Sequence, residues 1–335
     1  MADLLRPDDT RDALRKLGGL LFGVGILMLL MRKGEDWGDG LVLILFAIPA
    51  ALLYGGGVFT TSANAGPRPW QAVYSVFGLI FVPLVGFQFI ETVDGNTGAA
   101  LNIAWIFAVT AALAFYAGAV KGIRFHLLAG SIALIIAWSA VWNEILGDGG
   151  ILEDIGTFRG LLGILSIILL AGALYLWRSA PDVRVSGTGV EDGGDHHLWR
   201  ASELLTGAGI AAVVATSLGI ASLGAVLNPF SDSAIVVETN TFWDVLLLLV
   251  SLGLVAIGSA IGTRGPVYVG AIGLFLFLLI VGFDVNEGSD ADPTKLGGWP
   301  IILLVLGGLG ILLSAVKESS LGDKPKQFVN KLKRG

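Results

Sequence analysis

The chain has 335 residues, of which 54% are hydrophobic and only 14% charged, and its mean hydropathy is +0.79. A soluble fold of this length could not hide so much apolar surface, because a large share of any folded surface still faces its solvent. Cysteine is absent, which excludes disulfides, thiolate nucleophiles and cysteine metal sites, and the net charge of −6 is distributed very unevenly along the chain.

The N-terminal segment carries Arg6, Arg11, Arg15 and Lys16 ahead of the apolar run 17–31. That order resembles the start of a signal peptide, but Arg32-Lys33-Gly34-Glu35 follows where a small-x-small cleavage site would stand. The run predicts an uncleaved first span. At about 22 Å of helix it is short, so a re-entrant or surface helix is the alternative. Further runs at 40–62, 69–90, 98–119, 124–146, 157–177, 199–227, 242–261, 265–283 and 298–316 have the length to cross roughly 30 Å of hydrocarbon. The expected fold is an all-α integral membrane protein of about ten helices. Pro49, Pro83 and Pro300 fall within or at the start of spans, where neighbouring helices can re-satisfy freed carbonyls.

Orientation follows from Lys and Arg. With the N-terminus in the cytoplasm, seventeen of the 21 basic residues lie inside and four (Arg32, Lys33, Arg159, Lys295) outside. Both termini are therefore expected in the cytoplasm, in a multi-pass protein of the cytoplasmic membrane. Seven of the nine tryptophans sit at predicted span ends, where an amphipathic ring prefers the headgroup zone.

The segment Gly118 to Glu144 returns 140 residues later as Gly258 to Asp284. Gly118, Gly122, Arg124, Gly130, Ile132, Leu134 and Val141 meet Gly258, Gly262, Arg264, Gly270, Ile272, Leu274 and Val281. Extending that offset predicts two parallel four-helix repeats after an N-terminal helix pair. The expected divisions are a basic segment with helices one and two (1–66), repeat A (67–178), a Gly- and acid-rich cytoplasmic linker (179–198), repeat B (199–316) and a basic tail (317–335). A compositional echo is the plain alternative to duplication.

The chemistry-bearing residues lie outside the span centres. Sixteen acids fall in the predicted outer loops and form an acidic rim, with Glu144, Asp148, Asp284, Glu287, Asp290 and Asp292 as its candidate site residues. Clustered carboxylates suit weak binding of a hard divalent cation, although the spacing does not match a calcium-binding loop. On the inner side, Lys121 and Arg124 form one basic turn and Arg264 its counterpart. His196 and His197 are adjacent and point apart, a poor metal site, and His126 is expected to snorkel at the interface. Glu203, Arg159 and Asp244 stand near span ends, so no charge is placed at membrane depth as proton relays and ion-coupled carriers require. No nucleotide-binding, haem-ligating or hydrolytic motif occurs. These absences point away from an enzyme, a cofactor or a nucleic-acid partner. They leave a membrane scaffold or partner-binding subunit, with the bilayer and other membrane proteins as its partners. The alternative is a passive or weakly coupled permease for an uncharged or lipid-like solute, its path lying between the two repeats.

Overall fold

The computed structural model describes residues 7–33, 37–60, 68–147, 155–179, 193–217 and 241–282. Among these residues the chain is all-helical, with no strand. The helices are α1 (Pro7–Lys33), α2 (Asp39–Pro49, extended through Ala50–Tyr54 and Gly55–Val58), α3 (Pro69–Thr92), α4 (Ala100–Phe115, extended through Tyr116–Val120), α5 (His126–Ile145), α6 (Ile155–Arg178), α7 (Gly193–Ser217), α8 (Thr241–Ile261) and α9 (Arg264–Gly282). Seven of them, α2 to α8, are long and apolar enough to cross a membrane, which makes this an all-α membrane-type protein. The apolar part of α9 is shorter, and α1 does not meet the same criterion. The predicted tenth run, 298–316, lies outside the described residues.

Where hydrocarbon is the solvent, every backbone amide and carbonyl needs a partner inside the protein, and a continuous helix supplies most of them. The departures from regular helix are therefore informative. Pro49 lacks an N–H and crowds the preceding turn, and the backbone answers by widening into a π turn over Ala50–Tyr54. A second π turn, Tyr116–Val120, closes α4. The Tyr54 hydroxyl donates to the Leu113 carbonyl at 2.7 Å, one turn before that second π turn, so the two irregular segments are joined by a hydrogen bond. Tyr54, Val58, Leu79, Ala114, Ala117 and Ile123 form the buried cluster around this bond.

Glycine makes the crossing of α2 and α3 possible. A Cβ at Gly78 would collide with the backbone of Tyr54, and one at Gly57 would stand 2.6 Å from the Ser75 amide nitrogen. These helices touch backbone to backbone, the packing that small residues allow in membranes. At the head of α3, Gln71 accepts from the Arg68 amide at 2.6 Å and donates to the Thr60 hydroxyl at 3.1 Å, which fixes the end of α2 to the start of α3. At the other end, Asn96, Asn102 and Trp105 hydrogen-bond in series and hold the α3–α4 loop.

The chain divides into two compact units, Met1–Ala211 and Ala212–Gly335. The division falls inside α7, whose earlier turns pack in the first unit: Ser166 of α6 donates to the Ala208 carbonyl at 2.9 Å, and Gly207 lies directly against Ser131 of α5. The second unit has its own cluster of Val213, Leu247, Leu248, Leu254, Phe277 and Ile280.

The glycine crossing gives a direct test. Gly78→Val is expected to lower the thermal midpoint of the detergent-purified protein sharply, since overpacking typically costs about 1–3 kcal/mol. Gly160→Ala and Gly163→Ala, where an added Cβ meets nothing within 4 Å, are expected to leave it unchanged or slightly raised.

Candidate functional site

The turn between α4 and α5 gathers more polar chemistry than any other described part of the chain. Its backbone reverses through Gly122 at φ +70° and Phe125 at φ +68°. The first is ordinary for glycine, whereas a side chain in the left-handed region costs about 1–2 kcal/mol. Phe125 occupies the N-cap of α5, where it cannot offer the oxygen that Ser, Thr, Asp or Asn would supply.

Glu203 supplies that oxygen from α7. One carboxylate oxygen accepts from the Phe125 amide at 2.6 Å and the other from the Leu127 amide at 3.1 Å. A carboxylate at a helix N-terminus satisfies orphan amides and complements the positive end of the helix dipole. Charge-assisted bonds of this kind are worth about 1.5–3 kcal/mol. Beyond capping α5, the pair ties helices 76 and 78 residues apart in sequence.

Two arginines stand at the cap. Arg200, one helical turn before Glu203, lays its guanidinium over Gly122: a Cβ there would stand 2.8 Å from Nη2. The ring of Trp199 carries two guanidinium groups, Arg124 at 5.9 Å and Arg200 at 5.7 Å from its centroid. Lys121 stands on the same turn, half-buried. Cation–π contacts contribute about 0.5–2 kcal/mol each, depending on desolvation. Beneath the turn, His126 is only 1% exposed, and its Nδ1 lies 3.1 Å from the Arg124 carbonyl oxygen. The expected snorkelling of His126 is thus not seen: the left-handed turn at Phe125 directs the imidazole into the bundle.

The sequence-derived site residues separate clearly. Arg124 is brought together with Arg200 on Trp199, with Lys121 on the same turn, whereas Glu144 is exposed at the far end of the 20-residue α5. Twenty residues of helix span about 30 Å, so Glu144 shares no site with the basic turn. Arg264 opens α9 in the second unit and lines a recess of about 260 Å³ with Gly258, Thr263 and Tyr268. Asp148, Asp284, Glu287, Asp290 and Asp292 lie outside the described residues. Since Arg124 and Arg200 share one tryptophan, the α4–α5 turn and the start of α7 are at the same end of the first unit.

Glu203, Trp199 and Arg200 were missed as a group by sequence reasoning. Their i, i+1 and i+4 spacing at a span start places Trp199 and Glu203 on one helix face, a legible local signal. Their target 76 residues upstream is not marked in the sequence.

No family model matches the chain, and neither the curated proteins nor the solved structures contain a match.

Glu203→Ala is expected to destabilise the protein by about 1–3 kcal/mol, because two amides lose their acceptor. Glu203→Gln, which keeps one carbonyl oxygen, should lie between the two in thermal denaturation. Phe125→Val is expected to cost stability as well, since a β-branched residue fits the left-handed region poorly.

Proposed function

We propose that this chain is a non-enzymatic membrane scaffold or partner-binding subunit of the cytoplasmic membrane, with both termini in the cytoplasm. The observation that carries the proposal is the fate of the polar side chains drawn into the helix seams. Both Glu203 oxygens hold backbone amides. Ser131, Thr110 and Thr206 donate to carbonyls one turn back in their own helices, and Ser166 bonds across to α7. Groups engaged in this way tighten packing and do not line a polar path. The outward faces are apolar instead: Ile164, Ile167, Ile168 and Leu174 are exposed along α6, and Phe242, Leu249 and Ile257 along α8. Such faces suit lipid or the helices of partner proteins.

The orientation in this proposal rests on the excess of Lys and Arg assigned to one side, and the acidic outer rim is its complement. The proposal also includes an internal duplication. Gly118 lies against Leu127 and Gly258 against Val267, in both cases within 2.7–2.9 Å of a would-be Cβ. Gly130 meets Phe115 and Gly270 meets Val255, again at the offset of 140. Gly122 and Gly262 have φ of +70° and +74°. These correspondences support two hairpins of common design.

Reconstituted into vesicles, the protein is expected to pass small uncharged solutes no faster than protein-free vesicles do. Native gels of gently solubilised membranes should show it in a species larger than the purified 34.9 kDa chain in the same detergent. Saturable solute uptake would replace the scaffold reading with the permease.

A further inference from the structure

We infer that the α4–α5 turn, together with Trp199 and Arg200 of α7, forms a binding site for the phosphate headgroup of an anionic phospholipid. The inference stands independently of the scaffold reading.

Arg124 and Arg200 converge on one turn, with Arg200 lying over Gly122 and sharing Trp199 with Arg124, and Lys121 belongs to the same turn. Glu203 lies close enough to Arg124 and Arg200 to offset part of their charge, but both its oxygens are taken by the amides of Phe125 and Leu127, and Arg124 stays exposed. A guanidinium in that position donates readily to phosphate oxygens.

The surroundings select the source of that phosphate. Phe125 is 66% exposed and Val120 64% exposed, both beside the cations at the ends of apolar helices. Apolar side chains standing out next to Arg, Lys and Trp match the headgroup boundary of a bilayer, where acyl carbons and phosphates lie within a few ångströms of one another. A free anion would make no use of Phe125 or Val120, whereas a lipid engages both the charged and the apolar parts. The site is also prearranged. Trp199 fixes the two guanidinium groups, and the Glu203 cap fixes the turn, so little side-chain freedom remains to be lost on binding.

The test uses the full-length protein in a neutral detergent. Native mass spectrometry and thermal denaturation are followed as phosphatidylglycerol, phosphatidylcholine or inorganic phosphate is added. Phosphatidylglycerol is expected to bind saturably and raise the thermal midpoint, while phosphatidylcholine and inorganic phosphate at the same concentration do neither. Lys121→Gln and Arg124→Gln replace side chains that make no hydrogen bond among the described residues, so both variants should fold. Each is expected to weaken phosphatidylglycerol binding about fivefold, and the pair more than tenfold. Arg264→Gln, on the turn of the second unit, should leave this binding unchanged. Equal binding by wild type and the double variant would overturn the site, as would equal binding of the two lipids. Full competition by millimolar inorganic phosphate would assign the site to a free anion and overturn the lipid.

Discussion

The bond between Glu203 and the head of α5 is the constraint on which the first unit depends. A helix that begins at a membrane boundary exposes amides that its own turns cannot satisfy, and the hydrocarbon offers no acceptor. Here the local sequence supplies none either, because the N-cap is a phenylalanine in the left-handed region. The acceptor comes from another helix, so α5 is correctly ended only when α7 is in place. The position of Arg200 over Gly122 and of both guanidinium groups on Trp199 follows from that docking.

Glycine performs the complementary task in the apolar interior. Gly57 and Gly78 bring α2 and α3 into backbone contact, and Gly207 lets α7 close on the Ser131 side chain of α5. Aqueous proteins drive helices together largely by burying apolar surface, but acyl chains are as apolar as leucine. Close approach and a few interhelical hydrogen bonds must carry the specificity, and Tyr54 to Leu113 and Ser166 to Ala208 are two such bonds.

What could be read from the sequence divides along the same physical line. The helices were legible because twenty apolar residues between polar stretches have few alternatives in a membrane, and the runs at 69–90, 124–146 and 157–177 lie close to α3, α5 and α6. The basic turn at Lys121 and Arg124 was legible as a charge feature. Its partners were not, since no local pattern ties Glu203 to Phe125. His126 was assigned to the interface from its position alone, and a single left-handed residue turned it inward. The π turns were equally hidden: Pro49 predicts a disturbed helix, but nothing around Tyr116 announces a widened one.

Those two widened turns also change how the helix faces are numbered. A π turn takes in one residue more than the α-helix around it, and each residue of an α-helix advances by about 100°. Beyond Tyr54, the side chains of α2 are therefore out of phase with the helix that precedes them, whereas the second π turn shifts only the closing turn of α4. A stripe of small residues traced at regular spacing through α2 changes sides at that point. Gly57 and Gly118 both lie at or past such a point, and both face a neighbouring backbone. The π turn of α2 acts as a phase shifter: it lets the helix present one face to its partners along most of its length and a different sequence face to them at its end.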